Sequence, residues 1–125
     1  MLQDIALTVN DWEEIENFYE EILLFNMQRK FSMNGKIIQQ IFNVEGVTDV
    51  YVMGHQDVQF EIFISPKKER KVFSHVCLAF WKAEITYNNA VDAGYKALIK
   101  KSEGHNTYFI WDKSENMFEI IEITK

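Results

Sequence analysis

The chain has 125 residues with 47% hydrophobic and 26% charged side chains, values of an ordinary folded protein that exclude intrinsic disorder and low-complexity architecture as its main description. Nineteen acidic against thirteen basic residues leave a net charge of −6. A duplex-binding domain needs a basic stripe to neutralise phosphate, and the only basic cluster, Lys67-Lys68-Glu69-Arg70-Lys71, reads as a solvated connector, so nucleic acid is not an expected partner.

The single cysteine, Cys77, excludes an intramolecular disulfide and a zinc site built from several cysteines. Met1-Leu2-Gln3-Asp4-Ile5 carries no signal-peptide pattern, and no apolar run approaches the ~20 residues that cross a bilayer. A cytoplasmic protein without membrane contact is expected.

In chain order, Asp4 to Val9 reads as a strand with Ile5, Leu7 and Val9 on its apolar face. Asn10 and Asp11, with Glu13 and Glu14 three positions after each, form a capping-box pattern that opens a helix carrying Trp12, Ile15, Phe18, Tyr19 and Ile22. A strand is predicted around Phe25 to Phe31, ended by the turn dipeptide Asn34-Gly35. Within Lys36 to Val44 the apolar residues Ile37, Ile38, Ile41 and Phe42 pair four apart, which suits a short helix. Asp49 to Met53 and Asp57 to Ile64 follow as strands, and Ser65 to Lys71 is the linker candidate.

The second half repeats the order. Phe73 to Phe80 reads as a strand, Ala83 to Ala93 as a helix with Gly94 just past its end, and Tyr95 to Lys100, Thr107 to Trp111 and Met117 to Ile123 as three strands. Asp4-Ile-Ala-Leu-Thr-Val aligns with His75-Val-Cys-Leu-Ala-Phe, and Phe60-Glu61-Ile62-Phe63 with Phe118-Glu119-Ile120-Ile121. The matches fall on the first and last strand of each half, as expected of a duplication. The predicted fold class is α+β: two βαβββ modules, about 1–66 and 67–125 of one domain, forming a curved mixed sheet around a cup with the helices outside.

Strand alternation sets Asp4, Glu61, His75 and Glu119 opposite the large apolar faces. Singly, each has an ordinary reading: a terminal surface residue for Asp4, wet strand faces for the glutamates, a hydrogen-bonded structural imidazole for His75. Two halves related by a pseudo-twofold would instead bring all four together. No Lys or Arg lies on those strand faces, so a divalent cation is the expected compensation for three carboxylates. His55 and His105 are expected at the surface, Cys77 as a small core filler, and Phe60, Phe63, Phe73, Phe80 and Trp81 in the core. Trp111, Tyr108 and Phe63 remain candidates for lining the cup.

The repeat resembles the vicinal oxygen chelate superfamily, which includes glyoxalase I, bleomycin- and fosfomycin-resistance proteins, methylmalonyl-CoA epimerase and extradiol dioxygenases. Ile5-Ala6-Leu7-Thr8-Val9-Asn10-Asp11 with Phe18-Tyr19 and Leu23-Leu24-Phe25 looks like the family's opening motif. Ser74-His75-Val76-Cys77-Leu78-Ala79-Phe80 resembles the start of its second module, and Trp111-Asp112 to Asn116-Met117-Phe118-Glu119-Ile120 its closing strand. The resemblance implies that Glu61, His75 and Glu119 are metal ligands, with Asp4 where the glyoxalase group has His or Gln. Lys113-Ser114-Glu115 replaces a Pro-Asp-Gly-like turn.

By resemblance the expected function is a metal-dependent lyase or isomerase (Ni, Zn, Mn or Fe) that acts on a small carbonyl or thiol-adduct substrate through an enediolate. Glu119 would be the general base and Glu61 its partner. With two Arg against eleven Lys, a grip on the carboxylates of glutathione is poorly supplied. The alternative is a metal-free small-molecule or drug-binding protein of the bleomycin-resistance type. A ring-cleaving dioxygenase needs two His and one carboxylate and ranks last, because only one His falls at a matching position. A homodimer is implied as well.

Overall fold

A computed structural model describes residues 3–66 and 74–123. The chain divides into two compact units, Met1–Lys68 and Glu69–Lys125. The part of the predicted linker beyond Pro66, and Phe73 of the predicted strand, lie outside the described residues.

In the first unit β1 (Asp4–Val9), β2 (Asn26–Met33), β3 (Thr48–His55) and β4 (Val58–Ile64) form a sheet of order β1-β4-β3-β2. β1 runs parallel to β4, while β3 is antiparallel to both β4 and β2. Asp11 opens the following helix by accepting the Glu13 N–H at 2.9 Å, whereas Asn10 turns away and donates its side-chain amide to the Ser65 carbonyl. The helix is wound as a π-helix over Ile15–Glu20, with N–H groups of Glu21 and Leu23 reaching back five residues to Glu16 and Phe18.

The π-helix turns Ile15, Phe18 and Tyr19 inward. An aromatic relay carries it onto the sheet: Tyr19 lies 5.7 Å from Phe25, and Phe25 stacks on Phe60 at 4.7 Å. Phe60, Ile62, Tyr51 and Met53 complete this core. His55 also belongs to it, buried at the end of β3 with its ring 5.1 Å from Phe25, which corrects the expectation of a surface residue. His105 opens β7 and is exposed, as expected.

A short helix, α1 (Gly35–Phe42), separates β2 from β3. The Asn34 side chain accepts the Ile37 N–H at 2.9 Å, and Asn43 ends the helix in the left-handed region at φ 56°. Ile38 is buried, and Phe42 meets the ring of Phe63 edge-on at 5.3 Å.

The second unit repeats the plan with β5 (Val76–Phe80), α2 (Ala83–Asp92), β6 (Ala97–Ser102), β7 (His105–Trp111) and β8 (Met117–Glu122), in sheet order β5-β8-β7-β6. β5 is again parallel to β8. Lys82 cannot cap α2, so Glu122 of β8 accepts the Ala83 N–H at 2.8 Å. Gly94, at φ +87°, ends the helix in a conformation that suits a residue without Cβ.

On this sheet Leu78, Phe80, Ile110, Phe118 and Ile120 are buried, and Tyr108 lies among them, 5.1 Å from Tyr87 of α2. Its register opposite Ile120 puts Tyr108 on the helix side, so it does not line the face that carries Glu119. Phe60 and Phe80 are buried as expected, whereas Trp81 is exposed and Phe63 is only half-buried on the other face of its sheet. The two units thus form an α+β protein of two βαβββ modules. Among the described residues no helix is long and apolar enough to cross a membrane.

The turn before β8 is organised by buried Asp112. Its Oδ1 accepts the N–H of Ser114 and of Asn116, and its Oδ2 accepts the Asn116 amide. Replacing Asp112 by Ala leaves these donors without their acceptor, and urea unfolding should show a loss of about 2–4 kcal/mol. A loss under about 0.5 kcal/mol would deny the turn its organising role.

Candidate functional site

Register decides which side chains can meet. In the first unit Ala6 lies beside Glu61 and Thr8 beside Phe63 on the parallel pair. In the second unit Cys77 lies beside Glu119 on the matching pair. Asp4 and His75 therefore stand two residues before equivalent positions, on the same sheet face as the glutamate of their own unit.

The first pair is Asp4 and Glu61. Partial burial raises the Glu61 carboxyl above its ordinary range, the Asp4 charge pushes the same way, and a hydrogen bond from Glu61 to Asp4 holds the proton further. Arg29 opposes these effects with its positive charge. It sits opposite Val52, which itself pairs with Glu61, so the cation reaches the site face from β2. The guanidinium lies 4.9 Å from the centre of the Phe31 ring on that face.

The second pair is His75 and Glu119, with His75 Nε2 at 3.9 Å from Glu119 Oε1 and both side chains partly exposed. On the other side, Cys77 donates its S–H to Glu119 Oε2 at 3.5 Å. Burial, this hydrogen bond and the Glu119 charge together push the Cys77 thiol up, which keeps it a protonated donor. Cys77 is exposed on the Glu119 face and is not a core filler. Its alternation with Val76 and Leu78 already assigned it to that face; its small size concealed the consequence.

Each unit thus unites one acid pair or acid–imidazole pair. Among the described residues, neither unit arranges three His, Cys, Asp or Glu side chains so that they could hold a metal ion. The donors are carboxylate oxygens and an imidazole nitrogen, a set that suits a borderline or hard divalent ion.

Also on the Glu61 face of the first unit is a cavity of about 330 Å³, between β1, β4 and α1. Phe63 and Phe42 form part of its wall. Trp111 pairs with Met117 on the Glu119 face of the second unit, and the Lys96 ammonium lies 4.4 Å from its ring centre.

No family model matches the chain, and no curated protein matches it in sequence. Solved structures do match in fold. A variant of the fosfomycin resistance protein FosX from Listeria monocytogenes, complexed with Mn(II) and dihydroxypropylphosphonic acid, is 13% identical, with a TM-score of 0.76 over 99% of this chain and 93% of that one. A glyoxalase family protein from Bacillus cereus is 10% identical, with a TM-score of 0.75 over 97% and 92%. Another, from Enterococcus faecalis, is 15% identical, with a TM-score of 0.70 over 96% and 95%. At such identities the likeness is one of fold, and the fold of this chain is that of the vicinal oxygen chelate superfamily, to which the glyoxalase-family and FosX proteins belong.

Proposed function

We propose that the protein is a divalent-metal enzyme of glyoxalase type, a lyase or isomerase that converts a small carbonyl compound or thiol adduct, with Asp4, Glu61, His75 and Glu119 as its metal ligands. One observation carries this reading. The same arrangement, a last-strand glutamate beside a first-strand ionisable side chain, recurs at equivalent positions of two units. Solvent-facing strand residues have no reason to repeat in that way. The reading holds 1–125 to be one domain that works as a homodimer.

The donor set accommodates Ni, Zn, Mn or Fe, and Mn(II) accompanies the FosX variant of similar fold. When bound, a divalent cation draws charge from neighbouring substrate oxygens and acidifies the adjacent C–H. Glu119 acts as general base. The Cys77 thiol, donating to one of its oxygens, orients the carboxylate. The proton taken from one carbon returns to its neighbour, so the conversion is an isomerisation without change of composition. Glu61 serves as the partner base.

A second reading has one observation in its favour. Arg29 offsets part of the charge at Asp4 and Glu61 without a metal ion, as a metal-free small-molecule or drug-binding protein would require. Metal content separates the two. Elemental analysis of untagged protein should find a stoichiometric transition metal, lost in His75→Ala and in Glu119→Ala. Equal content in wild type and both variants would remove the proposed ligands. Glu119→Gln should keep part of the metal while proton exchange at the substrate carbon, followed by NMR in D2O, falls by about 100-fold or more. Undiminished exchange would clear Glu119 of the base role.

The raised carboxyl of Glu61 fixes the sign of a pH effect. Its neutral form is favoured in the folded, metal-free protein, so its contribution to stability is complete below the ordinary carboxylate range and declines as pH rises through the elevated value. Urea unfolding from about pH 4 to pH 8 should show this decline in the wild type and not in Glu61→Gln. Added Mn(II) should cancel it by taking the place of the proton. A decline of the same size in Glu61→Gln would assign it to other groups.

A further inference from the structure

The cavity of the first unit begins where the acid pair ends. Ala6, which lines it, is the β-partner of Glu61; Thr8 and Phe63, the next pair on that face, line it as well. The far wall is α1, through Ile38 and Phe42. The helix is held in place at its start by Asn34 and through the contact of Phe42 with Phe63. The second unit has no counterpart of this wall: β6 and β7 are joined by a tight turn at Gly104, φ +85°. Duplication alone therefore does not account for the cavity. The inserted helix creates it.

Its chemistry is one-sided. The lining described contains no Lys, Arg, Asp or Glu, and its polar side chains are the hydroxyls of Thr8, Thr48 and Ser65. A charged group inside would lose water without gaining a counter-ion. An apolar group would gain from burial against Ile38, Phe42 and Phe63. Phe42 and Val44 are 47% and 39% exposed, so apolar surface of this wall stands open to solvent.

We infer that this cavity binds the uncharged apolar part of a small ligand, a short alkyl chain or a single ring, whose polar end lies against Asp4 and Glu61. The polar end is the reacting end only under the metal-enzyme reading, on which that one identification rests. The substrate class then narrows to small carbonyl compounds with an apolar tail, and α1 becomes the element that selects the tail.

The test is an NMR titration of the full, chelator-treated chain with straight-chain 2-alkanones of about four to eight carbons. Affinity should tighten about fourfold per methylene until the cavity is full, with the largest shifts at Ala6, Thr8 and Phe63. Alkyl carboxylates of matched length should bind about tenfold more weakly or worse, facing Asp4 and Glu61. Ala6→Leu, which fills the cavity, should weaken the longer ketones by about tenfold or more. Phe42→Leu, which enlarges it at a half-exposed position, should move the preference to longer chains and serves if Ala6→Leu does not fold. Affinity independent of chain length, carboxylates binding as well as ketones, or shifts remote from β1 and β4 would each overturn the inference. Because the titration uses metal-free protein, ketone binding in a chain that never takes up metal would sink the enzyme reading alone. Stoichiometric metal without ketone binding would sink the cavity assignment alone.

Discussion

The parallel pairing of first and last strand in each unit is the constraint from which the candidate site follows. A parallel ladder needs a long crossover, here supplied by the helix and the two middle strands. Once β1 lies beside β4 with Ala6 at Glu61, the pleat leaves no freedom. Asp4 must share a face with Glu61, and the apolar Ile5, Leu7, Phe60 and Ile62 must share the other. The same holds for Cys77, His75 and Glu119 in the second unit. A slip of one residue would drive carboxylates beneath the helices and aromatics into water, so the hydrophobic core and the acid pairs enforce a single register.

That coupling explains what could be read from the sequence. Period-two alternation in Ile5-Ala6-Leu7-Thr8-Val9 and Phe60-Glu61-Ile62 encodes both faces at once, and the repeat in the second half encodes them again. The elements, the βαβββ order and the opposition of acids to apolar faces were legible for that reason. What escaped depends on register between strands distant in sequence. Arg29 reaches Glu61 only because β2 pairs with β3 and β3 with β4, two steps that no local pattern records. Tyr108 lies on the helix face because it pairs with Ile120, and His55 is buried because β3 runs on past Met53 to bring it against Phe25.

Capping shows a similar division. The helix start at Asp11 was visible as an acid three residues before another, yet the bond formed runs from the Glu13 N–H to the Asp11 side chain. Lys82 gives no hint of how α2 begins, since its cap arrives from Glu122, forty residues away in the chain and adjacent only through the sheet. Local signals announce that an element starts; the tertiary fold decides which atom satisfies it.

The two units differ where duplication permits difference. Their shared frame presents an ionisable pair at each equivalent position, but the pairs differ in how they meet the cost of adjacency. At the first, burial and the Asp4 charge push the Glu61 carboxyl up while Arg29 opposes them. At the second, the Cys77 thiol donates to one oxygen of Glu119, and His75 Nε2 stands 3.9 Å from the other. The helix α1 adds an apolar cavity beside the first pair.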